Sequence, residues 1–167
     1  MSKRDNYDFW RGDVLDRVEK SIEIRAPPEK VWEMLAIDRF QEWQVGMLYN
    51  ECFVYGMEFT SEVSVPEDKY KVGASAQPKK VGEGVLFKVT ESLKNEKITY
   101  LVEERGTNST LTSILEPIDE GTKLIYAVSY EMPWGIFGKF IEKLFAKRMG
   151  EGQVEKSLEK LKSILEK

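Results

Sequence analysis

Histidine is absent from this chain, and cysteine occurs once, as Cys52. The usual proton acceptor at neutral pH is therefore missing. So are the serine–histidine and cysteine–histidine nucleophile pairs and the commonest zinc ligands. Acid–base chemistry would fall to Tyr, Glu, Asp or Lys side chains whose pKa values are shifted by their surroundings. The candidates are Tyr100 and Glu104, which share one face of "KITYLVEERG" by alternation, and Tyr126 in "TKLIYAVSYEM". No paired-carboxylate motif accompanies them, so a catalytic set is not identified. No cofactor fingerprint or metal-ligand spacing is present, and neither a cofactor nor a metal is expected.

The elements that would hold these residues follow from hydrophobic periodicity. "RVEKSIEIRA" alternates, with Val18, Ile22, Ile24 and Ala26 on one side, which predicts a half-buried strand. "PPEKVWEMLA" predicts a short helix, with Pro28 in its first turn and Glu29 near the positive end of its dipole. "IDRFQEWQ" predicts a second short helix capped by Asp38. Residues 47–132 read as strands throughout. "MLYNECFVYGMEFTSEVSV" is one long stretch or a bent pair with a bulge at Gly56, and Pro78 marks a strand end or edge. Val85, Phe87 and Val89 align, as do Ile98, Tyr100 and Val102, and Leu124, Tyr126, Val128 and Tyr130. The short links "KNEK", "GTN" and "DEGT" make the neighbours antiparallel.

The end of the chain, from about Pro133, reads as one long helix, the only element long enough to cover the sheet's apolar face. Its first half, "WGIFGKFIEKLFAKRMGEG", is unusually apolar and punctuated by glycine. Phe137, Ile141 and Leu144 form a stripe that continues to Arg148. A later stripe of Val154, Leu158, Leu161 and Leu165 is about a quarter turn out of phase at ~100° per residue. Gly150 and Gly152 lie between the two, so a kink, bulge or interruption is expected near 148–152, with Arg148 facing inward or sitting at the mouth of whatever the helix covers.

Composition bounds the rest. The 167 residues suit one domain, 14–167, preceded by an arm at 1–13. With 41% apolar residues the chain is globular. With 25 basic against 29 acidic residues, the net charge of −4 offers nothing to nucleic acid. A lone cysteine suits a reducing cytoplasm, and the polar start "MSKRDNYDFWRGD" lacks the apolar core of a signal peptide. A charged fraction of 32%, rich in Glu and Lys, leans towards a thermophilic source.

"SIEIRAPPEKVWEMLAIDRFQEW" resembles the opening of the SRPBCC superfamily, the START-like or helix-grip group that includes polyketide cyclase/dehydrase-like proteins and the birch pollen allergen. Ala26, Pro27, Glu29, Val31, Trp32, Asp38 and Trp43 hold the motif positions, and Pro28 is an insertion. "FKVTESLKNEKITYLV", "LEPIDEGTKLIYAVSYEMP" and "SLEKLKSILEK" are similar to later family segments, so the resemblance spans residues 16–167. It implies an α+β helix-grip fold. A curved antiparallel sheet of about six or seven strands would wrap a long C-terminal helix, with two short helices after the first strand.

The resemblance also implies a cavity between sheet and helix, lined here by Phe87, Tyr100, Tyr126, Tyr130, Phe137, Phe140, Ile141 and Leu144. Glu104 or Arg148 would orient a polar head. The expected function is binding of a hydrophobic or amphipathic small molecule: lipid-like, isoprenoid or aromatic polyketide-like. The alternatives are a polyketide cyclase or dehydratase using Tyr100, Tyr126 and Glu104, or an accessory module for a chaperone or membrane. In the last case Lys139, Lys143, Lys147 and Arg148 would touch the lipid surface. The chain would act as a monomer or homodimer.

Overall fold

Each alternating segment has its apolar side chains on one side only, so the strands must share one oily face that another layer removes from water. The computed structural model describes residues 15–45, 63–64, 67–78, 85–104, 107–131 and 140–167. It contains β1 (Leu15–Ile24), α1 (Pro28–Met34), a 3-10 turn (Ile37–Arg39), α2 (Phe40–Trp43), β2 (Val63–Ser64), β3 (Ser75–Pro78), β4 (Val85–Leu93), β5 (Lys97–Glu104), β6 (Thr107–Ile118), β7 (Gly121–Glu131) and α3 (Phe140–Leu165). The seven strands form one antiparallel sheet in the order β1-β7-β6-β5-β4-β3-β2. First and last strands are therefore neighbours, and the two short helices bridge towards the opposite edge. This is the α+β helix-grip arrangement expected from the sequence, with α3 lying chiefly along β1.

The inner face carries the buried side chains of Val18, Ile24, Phe87, Val89, Ile98, Tyr100, Val102, Leu111, Leu115, Leu124, Tyr126 and Val128. Against them pack Val31, Met34, Leu35, Ile37, Phe40 and Trp43 from the short helices and Val154, Leu158 and Leu161 from α3. The registers shift between Val89 and Glu91, where Thr90 is the extra residue of a bulge and its hydroxyl donates to the Thr99 carbonyl at 3.3 Å. As expected, α1 starts at Pro28; the described part of β3 runs to Pro78.

Two expectations are corrected. Asp38 caps neither short helix. It lies inside the 3-10 turn, whose extended flanking residue is Ala36, while Arg39 precedes α2. The Asp38 carboxylate instead takes the Lys69 ammonium at 2.9 and 3.1 Å, tying the 67–70 turn to the short helices. Beside that pair Tyr70 stacks on Trp32, with ring centres 5.2 Å apart. Of the kink, bulge or interruption expected near 148–152, the interruption is excluded: α3 is helical without a break over 26 residues. Two glycines cost about 1 kcal/mol each relative to Ala, whereas continued backbone bonding and the burial of Gly150, Val154, Leu158 and Leu161 favour the unbroken rod. The 1–13 arm, the Gly56 bulge and the helix start at Pro133 lie outside the described residues.

The far end of α3 is fastened to the end of β1. Lys162 Nζ donates to the Glu23 carbonyl at 2.8 Å, and Glu166 Oε1 accepts the Arg25 backbone N–H at 2.8 Å. The β6–β7 turn closes against the same segment. Gly121 has φ +150°, and a Cβ there would lie 2.1 Å from the Ile24 carbonyl oxygen. Next to it Thr122, fully buried, donates its hydroxyl to the Ala26 carbonyl at 2.7 Å.

Gly121→Ala should therefore destabilise the protein by on the order of 3 kcal/mol, read as a lower urea midpoint. Gly152 is the contrasting case: a Cβ there meets nothing within 4 Å. Gly152→Ala should raise stability by about 0.5–1 kcal/mol through helix propensity, and an unchanged or lower midpoint would contradict that reading.

Candidate functional site

The site is built outward from an aromatic layer that the short helices press onto the sheet. Phe40 of α2 stands edge-on to Tyr100 of β5 at 5.4 Å, to Phe87 of β4 at 6.4 Å and to Trp43 at 5.4 Å. Trp43 in turn meets Tyr126 of β7 edge-on at 5.6 Å. These edge-to-face geometries are the favourable ones for aromatic quadrupoles. The layer thus joins Phe87, Tyr100 and Tyr126, three residues singled out from the sequence, and all three are buried.

The polar ends of this layer are committed to particular partners. The last carbonyls of α1 have no partner within the helix. The Met34 carbonyl accepts the Trp43 indole N–H at 2.7 Å, and the Leu35 carbonyl accepts the Tyr100 hydroxyl at 3.0 Å. Tyr100 is thereby a strut between β5 and α1. The Tyr126 hydroxyl accepts a hydrogen bond from Gln44 Nε2 at 2.7 Å. Burial pushes both phenols well above the ordinary tyrosine pKa, opposed at Tyr126 by the Gln44 bond. Both therefore stay protonated at neutral pH and cannot serve as bases there.

Beyond Gln44 the chain is stitched to the covering helix. The Val45 N–H donates to Ser157 Oγ at 2.8 Å, and the Ser157 hydroxyl donates to the Gln153 carbonyl one turn back at 2.8 Å. Gln44, Gln153 and Ser157 were not found by sequence reasoning. The available signal was Ser157 itself, a buried polar residue on the Val154, Leu158, Leu161 stripe.

The other sequence-derived residues are placed by backbone register. Glu104 ends β5, opposite Val85 and Thr107, and Tyr130 of β7 lies opposite Ser109 and Asp16. Phe140, Ile141, Leu144 and Arg148 belong to the first half of α3. The side chains of Glu104, Tyr130, Phe140, Ile141, Leu144 and Arg148, and all of Phe137, lie outside the described residues.

At the opposite end of the molecule, an open groove of about 390 Å³ lies between Arg25–Pro28 and Pro117–Gly121. Among the described residues no group of three His, Cys, Asp or Glu side chains could hold a metal ion. No described helix is long and apolar enough to cross a membrane.

Residues 16–166 match the family model described as polyketide cyclase / dehydrase and lipid transport. No curated protein matches the chain by sequence. Among solved structures, protein CV1439 from Chromobacterium violaceum is similar at 18% identity and TM-score 0.60, over 91% of this chain and 99% of its own. Protein MLL2253 from Mesorhizobium loti is similar at 19% identity and TM-score 0.64, over 90% and 97%. The Aha1 dimer from Colwellia psychrerythraea is similar at 20% identity and TM-score 0.58, over 90% and 96%. At these identities the likeness is one of fold.

The tyrosines give a pH signature. Below an ordinary tyrosine pKa of ~10 both phenols are protonated, folded or unfolded, and they add no pH dependence. Above it the unfolded chain ionises first, so their contribution is lost as pH climbs towards the raised folded values. The urea midpoint should therefore fall above about pH 10, and the fall should be smaller in Tyr126→Phe.

Proposed function

The chain belongs to the polyketide cyclase/dehydrase and lipid transport family, and we propose that it binds a hydrophobic or amphipathic small molecule in a cavity between the inner face of its sheet and the first half of α3. The guest is lipid-like, isoprenoid or aromatic polyketide-like. The observation that supports this is the reach of the two layers. The described core includes Val102 and Val128 beyond the aromatic layer, and the strands run on, β5 to Glu104 and β7 to Glu131. The helix likewise extends back from Gly150 to Phe140, a further ~15 Å at 1.5 Å per residue.

In this reading the inner sheet face and the apolar first half of α3 form two walls of a pocket. Phe87 and Tyr126 make its floor, and Tyr130, Phe140, Ile141 and Leu144 its sides. Glu104 or Arg148 orients the polar end of the guest. Pockets for small ligands are lined in this way, mostly apolar with a few polar groups. Burial keeps both phenols protonated at neutral pH, so neither serves as a base there.

Native mass spectrometry of the purified full chain, followed by solvent extraction, tests the proposal. The expected result is an excess mass that extraction removes and that proves to be a hydrophobic compound, together with uptake of an added apolar dye by the extracted protein. A chain that carries nothing and takes up no dye would refute it.

A further inference from the structure

Ahead of β3 the chain makes a turn, residues 67–74, that is held in two different ways. Its last residues belong to the sheet: the Gly73 N–H donates to the Val89 carbonyl at 2.8 Å, and the Val89 N–H donates to the Ala74 carbonyl at 2.9 Å. Its first residues reach the short helices, and there, among the described residues, every tie starts from a side chain of the turn. Lys69 Nζ meets the Asp38 carboxylate at 2.9 and 3.1 Å. Tyr70 lays its ring on Trp32, with ring centres 5.2 Å apart, and its hydroxyl donates to the Trp32 and Glu33 carbonyls at 3.4 Å each. A full-strength bond from a hydroxyl is nearer about 2.8 Å, so the phenol is held loosely.

These ties are shallow. The Lys69 and Asp38 side chains keep 31% and 32% of their exposure, and an ion pair so wet is weak and screened by salt. Tyr70 is half-buried, packed against the core and not within it, whereas Trp32 beneath it is buried. The junction with the sheet is mobile by design. Gly73 has φ +89°, and a Cβ there would meet nothing within 4 Å, so its backbone has glycine's freedom in open space. The turn's own closing bond, from the Ala74 N–H to the Lys71 carbonyl at 2.8 Å, spans this glycine.

We propose that residues 67–72 are a releasable strap, hinged at Gly73 and latched to the short helices by the Asp38–Lys69 pair and the Tyr70–Trp32 stack, and that its release opens a way from solvent to Trp32 and the end of α1. The aromatic layer is propped on that same end, where the Leu35 carbonyl accepts the Tyr100 hydroxyl. Segments that open locally are those with few buried contacts, and this one fits that description. The strap works in this way whether or not the protein carries a guest.

Native-state proteolysis of the full chain tests the proposal, with trypsin cleavage of the Lys71–Val72 bond followed by mass spectrometry. Cleavage reads the population of the open form when opening and closing are fast. It is expected without denaturant, at a rate that low urea leaves unchanged because a local opening exposes little surface. Screening of the pair should raise the rate about threefold between low salt and roughly 0.5 M salt, after correction by a free peptide of residues 67–76. Asp38→Asn should raise it about threefold at low salt and remove the salt dependence, with the urea midpoint of the whole chain little changed. Lys69→Met breaks the same pair from the other side, should act alike, and serves should Asp38→Asn fail to fold. Cleavage that appears only on global unfolding, or a rate that neither variant moves, would overturn the strap.

Discussion

The apolar face of the sheet has to be taken out of water, and α3 is the one described helix long enough to do it. Short helices cover one end; α3 covers the rest by lying along β1. Burying Val154, Leu158 and Leu161 is worth roughly 1.5–3 kcal/mol per side chain, and that burial requires the helix to hold its position. Two fastenings provide this. Lys162 and Glu166 grip backbone groups of Glu23 and Arg25 where β1 ends, and Ser157 takes the Val45 N–H where α2 ends. Both act on the second half of α3.

In the proposed reading the aromatic layer is the floor of the cavity. Its members come from α2, β4, β5 and β7, and their edge-to-face contacts fix ring orientation as well as distance. Tyr100 and Trp43 also satisfy the carbonyls at the end of α1, so the same side chains that fill the core position the short helices. The described hydrogen bonds of this layer involve Trp43, Tyr100 and Tyr126, and in a low-dielectric setting such pairing rigidifies the fold.

Much of the fold was legible because it depends on local period. The alternation of Val18, Ile22, Ile24 and Ala26, of Ile98, Tyr100 and Val102, and of Leu124, Tyr126 and Val128 named the inner face strand by strand. Pro28 marked the start of α1 through backbone chemistry. Local reasoning failed where two favourable local options competed. Asp38 had the residue type of a helix cap, but Lys69, distant in sequence, offered its carboxylate an ion pair. Gly150 and Gly152 had the type of helix breakers, but a helix packed along its length tolerates the penalty of two glycines.

Side-chain partners belong to a different level of information. That Tyr100 would reach the Leu35 carbonyl, that Gln44 would meet Tyr126, and that Ser157 would join α2 to α3 all depend on pairing residues separated by 65, 82 and 112 positions. Nothing in the neighbouring residues encodes such a pairing; it arises once the sheet has registered and the helices have docked. By itself the sequence settled the strand faces, the helical C-terminal end and the absence of histidine chemistry, because periodicity and composition are properties of the chain. Which polar atoms are satisfied was decided only by the tertiary structure, because hydrogen bonds between distant segments exist only when both ends are held in place.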